Sequence, residues 1–477
     1  MSKIIKNTLL YSIGNLLPQL VAFILLPIYT KYLLPEDYGV VNAMVTVQAL
    51  FAVFFSLALD RSIIRLYWDY NEKEKGEFLG TLFIAMSAIS IIMLGLVFLF
   101  KNYIHLLFGE IAFYPFFIFT IFMTFSLNFF LIPKNYYRLK SEALKFLLLS
   151  ICEVVITTSL IFYFLVVKEE GAYGVIKGKF YSSVLLLPFF LYITIMHVKL
   201  KFNYKILSES LKFSLPILPT LFAAWVLGQA DRVFIAGNLS YHDLGIYSLS
   251  KRLGGLVAVI AGAFTMAYHP IFFELVNDTA FEEKTKSVLY RYNNSFILLL
   301  LYIGFMLALF SKEFIYYFLN YKYFVAYYYI PPIILGVIIA SISSSILGAF
   351  IQQSKKMKQD MIFGLVVAGI TLLSYSLLIK SFGLAGAVFA SIISSLSLFI
   401  LLYFYTKKRC FFIPFNWLGI IPISFIMFFT IILFNYLFSM DPLVGLFVKT
   451  LVAVCFISYY FYLYRDFIFQ ILNRNRL

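Results

Sequence analysis

Charge is scarce in this chain: Asp, Glu, Lys and Arg make up 13% of its 477 residues, about half the share usual in soluble domains. That excludes a water-exposed globular fold. Cysteine is nearly absent. Cys152, Cys410 and Cys455 lie in or beside apolar runs without regular spacing, which argues against a disulfide framework and a thiolate metal site. The four histidines, His105, His197, His242 and His269, share no ligand spacing, so no metal is expected. The pattern G-x-x-x-x-G-K-S/T does not occur, so the chain has no P-loop of its own with which to use ATP. No cofactor is expected. No stretch between the apolar runs is long enough for a folded domain. No cleavable leader is expected either: the apolar run from Thr8 contains Asn15, Pro18 and Gln19 and lacks a small-x-small exit.

What the chain does have is apolar surface. Hydrophobic residues make up 62% of it, and its mean hydropathy is +0.92. Fourteen apolar runs are bounded by charge or turn residues, at 8–30, 39–59, 79–100, 111–132, 143–167, 172–196, 211–230, 245–269, 295–310, 327–350, 361–379, 383–405, 417–438 and 443–463. They are too long for barrel strands and do not alternate, so the expected fold class is all-α, a polytopic membrane protein of about 14 transmembrane helices. The net charge of +15 resides in short clusters between these runs, which is not the continuous basic face that nucleic acid requires. With an inner N-terminus, the inner segments hold 26 Lys and Arg and the outer ones 7. Both termini are therefore expected in the cytoplasm.

The sequence also resembles itself. PEDYGVV at 35–41 resembles YHDLGIY at 241–247, an offset of 206 pairing Asp37 with Asp243 and Gly39 with Gly245. GAYGVIKGKFYS at 171–182 resembles GLAGAVFASIIS at 383–394, an offset of 212 pairing Gly171 with Gly383, Gly174 with Gly386 and Ser182 with Ser394. Nearly equal offsets are what a duplicated six-helix unit leaves. The expected organisation is an N-terminal lobe over 1–205, a second lobe over 206–410, and an extra helix pair with a basic tail over 411–477. The lobes would be related by an axis along the membrane normal.

Function should reside in the polar residues that interrupt this apolar chain, because a charge in hydrocarbon is expensive. Lys251 and Arg252 lie six to seven residues inside the eighth run, roughly 10 Å deep at 1.5 Å per residue. Lys177 and Lys179 lie about as deep in the sixth. Facing lipid, the four would together cost on the order of 10 kcal/mol. A wet cationic cavity holding these side chains is the alternative to snorkelling. Arg232 on the central hairpin and Arg61 and Arg65 on the inner side complete the cationic candidates. Asn15 and Gln19 share a face of the first run with Ser12. Asn42, Thr46, Ser56 and Asp60 recur at a helical rhythm in the second, and Ser248, Arg252, Gly255, Gly262 and His269 in the eighth; such stripes pack helices or line water. Lys449, in the last run, is expected to snorkel. Glu153 sits about ten residues into the fifth run as a lone carboxylate near the midplane. Burial there favours its protonated or cation-paired form, so Glu153 and Asp231 are the ion-coupling candidates.

Certain segments carry a family likeness. The opening pair (NTLLYSIGNLLPQL, YLLPEDYGVVNA, ALDRSIIRLYWDY), the Y-x-R-L-K of Tyr136 to Lys140, and the central F-x-x-P-x-x-P (Phe213 to Pro219), Trp225, Asp231-Arg232 and G-I-Y-S (Gly245 to Ser248) together resemble the O-antigen/polysaccharide repeat-unit flippases of the multidrug/oligosaccharidyl-lipid/polysaccharide exporter superfamily. The resemblance implies a non-enzymatic carrier in a bacterial cytoplasmic membrane. Its cargo would be a polyprenyl-pyrophosphate-linked oligosaccharide, moved to the outer leaflet by alternating access. Its partners would be membrane lipids and a glycan polymerase or chain-length regulator. The peptidoglycan-lipid branch carries an arginine-rich first helix, and the first run here has no Arg. The drug antiporter branch typically has twelve spans and carboxylates in its first lobe; Glu153 keeps a cation-coupled antiporter as the alternative. A multi-span glycan polymerase or glycosyltransferase needs a long outer loop, and none is present.

Overall fold

The computed structural model describes residues 3–106, 111–277, 283–437 and 442–472, and no strand occurs among the described residues. The chain forms two compact units, Met1–Ser248 and Leu249–Leu477. The first contains α1 (Lys3–Ile24), α2 (Leu26–Tyr32), α3 (Pro35–Ser56), α4 (Leu59–Leu66), α5 (Glu72–Leu99), α6 (Lys101–Leu106), α7 (Ile118–Asn128), α8 (Leu131–Leu139), α9 (Ala143–Phe162), α10 (Gly171–His197), α11 (Tyr204–Ser214) and α12 (Leu218–Asn238). α13 (Tyr241–Gly254) begins in it and ends in the second. There follow α14 (Leu256–Asn277), α15 (Glu283–Leu309), α16 (Ser311–Phe318), α17 (Ile330–Ile342), α18 (Gly348–Gln353), α19 (Met357–Arg409), α20 (Trp417–Ile432) and α21 (Pro442–Leu472).

Eleven helical segments among the described residues are long and apolar enough to cross a membrane, and the pair Leu10–Ile24 and Leu26–Tyr32, bent by 41°, adds one. α19 is 53 residues long, about 80 Å if straight, against a hydrocarbon core of about 30 Å. It breaks at Gly383, where φ is +58° and ψ −135°, and so supplies two crossings. With the shorter apolar helix Leu443–Ser458, the candidate crossings among the described residues number fourteen, in line with the apolar runs. The protein is a polytopic, all-helical membrane protein.

Matching sequence segments do matching local work. At the start of α3 the Asp37 carboxylate accepts the Leu34 N–H at 3.2 Å. At the start of α13 Asp243 accepts the Ser240 N–H at 3.3 Å, and Ser240 Oγ accepts the Asp243 N–H at 3.1 Å. Each carboxylate satisfies an orphan N–H at the positive end of its helix. Gly171 and Gly383, paired by the offset of 212, are the glycines with positive φ among the described residues, at +57° and +58°. Both sit at the turn of a helical hairpin, and both hairpins are pinned further in by hydroxyls: Thr157 Oγ1 to Ser182 Oγ at 3.0 Å, and Thr371 Oγ1 to Ser394 Oγ at 2.6 Å.

Within the first unit, α12 packs on α3. Trp225 Nε1 donates to the Thr46 carbonyl at 3.2 Å across that contact. α1 lies on α9, where Gly14 meets the Phe146 ring and Ser150. Towards one end, Leu59, Ile63, Tyr67, Phe78, Leu82 and Ile206 form a buried cluster that seats α4 and α11 against α5. In the second unit, α21 is fastened by Lys449, which is 1% exposed. Its ammonium donates to Glu313 Oε1 at 2.7 Å, Glu313 Oε2 at 2.9 Å, the Leu309 carbonyl at 2.9 Å and Asn435 Oδ1 at 2.6 Å. Lys449 therefore does not snorkel. Its partner Glu313 lies on α16, outside the apolar run that precedes it, where the sequence gives no hint of the pairing.

Candidate functional site: polar groups inside the membrane helices

A polar cluster of the first unit is built on α12, which packs on α3, together with Tyr247 of α13. Asp231 is fully buried. Tyr247, itself buried, donates its hydroxyl to Asp231 Oδ2 at 2.8 Å, and the Arg232 backbone N–H donates to Asp231 Oδ1 at 2.9 Å. These bonds hold a carboxylate that would otherwise be untenable at this depth. Arg232 is half-buried. Its Nη1 donates to Gln229 Oε1 one helical turn away, while its Nε is buried without a hydrogen-bond partner. An unmet buried donor costs about 1–3 kcal/mol. Asn42 and Thr46 are buried on the facing side of α3, but their side chains bond back to their own helix: Asn42 Nδ2 to the Tyr38 carbonyl at 2.8 Å and Thr46 Oγ1 to the Asn42 carbonyl at 2.9 Å. They shape the α3–α12 contact.

Asp60 does not share their face. α3 ends at Ser56, and Leu57 and Ala58 take left-handed φ values of 44° and 58° before α4 begins. The chain is thereby re-aimed, so the helical rhythm expected from Asn42 to Asp60 is broken. Asp60 instead pairs with Arg61 at 3.4 Å and Arg65 with Asp69 at 3.3 Å; both arginines are exposed. Burial pushes the Asp60 carboxyl above its usual range, opposed by the Arg61 guanidinium and the Ser56 hydroxyl.

Glu153 is not a lone carboxylate. Lys134 on α8 forms an ion pair with it. The apolar runs end at 132 and resume at 143, which leaves Lys134 between helices, but α8 continues to Leu139, and a tight turn at 140–142 returns the chain as α9. Glu153 lies about five residues deeper than Lys134 from this turn, about 7 Å, which a lysine stem spans. Each side chain keeps 24% of its surface accessible.

The remaining cations differ in kind. Lys177 donates to Glu170 at 2.8 and 3.0 Å and stands 4.6 Å from the Phe164 ring centroid and 5.1 Å from that of Tyr173. Its charge is thus met near the start of α10. Lys179, Lys251 and Arg252 are half-buried. Lys251 and Arg252 lie within Tyr241–Val276, one 36-residue membrane-length segment whose helix is interrupted at a single residue, Gly255. Further along the same segment, His269 Nε2 meets the Ser345 carbonyl at 3.0 Å. Asn15 and Gln19 are exposed on α1, on either side of Pro18. Lys134, Gln229 and Tyr247 escaped sequence reading; the i, i+3 spacing of Gln229 and Arg232 was the signal available for one of them. Among the described residues no cluster of His, Cys, Asp or Glu could hold a metal ion.

The profile of a family described as polysaccharide biosynthesis proteins matches residues 28–328. A Haemophilus influenzae protein of the Lsg locus is 26% identical over 280 residues, which are 57% of this chain and 66% of that protein. The chain thus matches just under two thirds of that relative's length. Among solved structures, the lipid II flippase MurJ in an inward closed conformation is similar over 96% of this chain and 100% of its own, at 17% identity and a TM-score of 0.74. An inward-facing multidrug resistance MATE family transporter of the MOP superfamily covers 84% of this chain and 94% of its own, at 14% identity and a TM-score of 0.55. At such identities the likeness is one of fold.

Proposed function

Since the chain belongs to the polysaccharide biosynthesis protein family and has the fold of a MOP-superfamily flippase or transporter, we propose that it flips a polyprenyl-pyrophosphate-linked oligosaccharide. The direction is from the cytoplasmic to the outer leaflet of a bacterial cytoplasmic membrane, by alternating access, with both termini inside. The observation that carries this reading is Arg232. A guanidinium inside an apolar helix, with a buried Nε–H lacking an acceptor, is suited to a ligand that brings oxygens of its own. A pyrophosphate does so, and guanidinium–phosphate bonds are charge-assisted and often paired. Lys179, Lys251 and Arg252 add positive potential for an anionic headgroup, and Lys177 adds it once displaced from Glu170. Arg61 and Arg65 serve at the inner surface, Asn15 and Gln19 face the sugars, and Asn42, Thr46 and Asp60 keep the helices in register. Asp231 and Glu153 are the coupling carboxylates, each already held by a donor (Tyr247 and Lys134). The chemistry asked of the chain is binding and movement, with no bond made or broken.

The test is leaflet accessibility of a fluorescent lipid-linked oligosaccharide in vesicles containing the purified protein. Arg232→Ala is expected to slow flipping at least tenfold, with Arg232→Lys intermediate, because an ammonium keeps the charge but not the fork. Arg252→Ala and Lys179→Ala should each weaken it further. Unchanged rates in all of these variants would remove the cationic site.

A further inference from the structure

The two motifs that resemble each other in sequence also touch. A methyl group built on Gly39 of α3 would stand 2.0 Å from the Tyr241 carbonyl oxygen, and one built on Gly245 of α13 would stand 1.9 Å from the Pro35 carbonyl oxygen. Pro35 and Tyr241 are related by the same offset of 206 that relates Gly39 to Gly245. The contact is therefore reciprocal, as across a two-fold axis. At each crossing the glycine lies one turn inside its helix, and the acceptor is the first residue of the opposite helix. Neither obstacle can move aside, because each is backbone. The helix starts are rigid as well, since Asp37 and Asp243 cap them, and Asp37 also lies against Gly171 at the start of α10, 3.7 Å from a methyl there.

We infer that the Gly39–Gly245 crossing is the outer closure of the transport path, a backbone-to-backbone contact that forms and parts once per cycle. This rests on the flippase reading and on its inner N-terminus, which places the starts of α3 and α13 at the outer surface. The contact sets backbone carbonyls directly against glycine Cα atoms, where close packing and weak Cα–H···O bonds operate. A contact of two glycine faces, with no interlocked side chain at the crossing points themselves, suits a surface that must separate reversibly. Below it, Thr46 lies seven residues inward, about 10 Å along α3, and is fully buried.

The experiment uses the full chain in vesicles, with the native cysteines replaced and Thr46→Cys added. A membrane-impermeant maleimide is applied from outside. With Gly39 and Gly245 intact, labelling should be slow. Gly39→Ala or Gly245→Ala, which keep the contact from closing, should speed it at least tenfold. Gly369→Ala, a helical position with open space around it, should leave it unchanged. A second measurement leaves the glycines untouched: spin labels at Glu36→Cys and His242→Cys, both exposed in the first turns of α3 and α13, should show a short and a long distance population. Labelling no faster in folded glycine variants than in Gly369→Ala would overturn the inference. So would a single short distance with and without a membrane potential and the lipid-linked glycan. Neither readout requires flipping, so a protein that opens here yet moves no lipid-linked glycan keeps the closure and loses the flippase reading.

Discussion

Replacing Lys449 by methionine should destabilise the second unit by about 3–5 kcal/mol, the cost of breaking a buried ion pair from one side. The ammonium meets four oxygens within 2.9 Å: both of Glu313, the Leu309 carbonyl and Asn435 Oδ1. Methionine fills the volume of the stem but returns none of these bonds. It leaves the Glu313 carboxylate, only 7% exposed, to be protonated or to draw in water. Asn435 also donates to the Ala308 carbonyl at 2.8 Å, so the helical turn Leu433–Leu437 that follows α20 loses part of its seat when its other contact goes. Glu313→Gln should cost less, since a neutral amide oxygen still accepts from the ammonium. The double variant Lys449→Met/Glu313→Leu removes both charges together and should return to within about 1–2 kcal/mol of the parent, or exceed it. Reversible unfolding in mixed micelles gives the four corners of the cycle, and the coupling energy should be several kcal/mol. A lysine that snorkels gives a different pattern: Lys449→Met within about 1 kcal/mol of the parent, as for an exposed pair, and additive effects in the double variant. That result would refute the clasp.

Lys134→Met should cost about 1–2 kcal/mol in thermal unfolding, less than a fully buried pair because both side chains keep some exposure; Glu153→Gln should cost less still, and equal losses from an unrelated lysine would remove the pairing. Gly171→Ala forces a side chain into left-handed φ and should lose about 1–2 kcal/mol, whereas Gly369→Ala, in an open helical position, should gain about 0.5–1 kcal/mol; differential scanning of the two variants checks the sign. Because burial raises the Asp60 carboxyl above its usual range, the folded state favours its protonated form. Its contribution is present at low pH and fades as pH rises through the raised value. Asp60→Asn should therefore flatten the melting temperature against pH just above the ordinary carboxylate range, and an unchanged profile would show that Asp60 titrates as if exposed.

Where the fold follows from local pattern, it was legible. Apolar runs of about 20 residues fix helix number, because a bilayer leaves the backbone no other way to satisfy its hydrogen bonds. The Asp-x-Gly motif marks two helix starts because the carboxylate caps the N-terminus and the glycine permits another backbone to approach. The charged side chains were not legible to the same degree, and the reason is distance along the chain. Glu313 is 136 residues from Lys449, so the sequence displays a costly charge without its remedy. Lys134 and Glu153 are only 19 apart, yet the cluster of basic residues around Lys134 reads as a loop until the turn at 140–142 is known to be tight. Leu57 and Ala58 carry no mark of the left-handed backbone that moves Asp60 off the face of α3.

A charge count is therefore a poor guide to which cations serve a substrate, and the partners decide it. Lys449 is consumed by structure, because its three protons are taken by four protein oxygens. Lys134 and Lys177 are each held by one carboxylate on a neighbouring turn or helix, and can be exchanged for an anion of comparable strength. Arg232 has a neutral partner on one arm and none on Nε, so a phosphate oxygen gains there without displacing a carboxylate. On the proposed flippase reading, ranked by what must be given up on binding, Arg232 comes first, then Lys177, and Lys449 last. Charge-removing substitutions should reduce flipping in that order, and a Lys449→Met/Glu313→Leu protein that folds should flip at the parent rate.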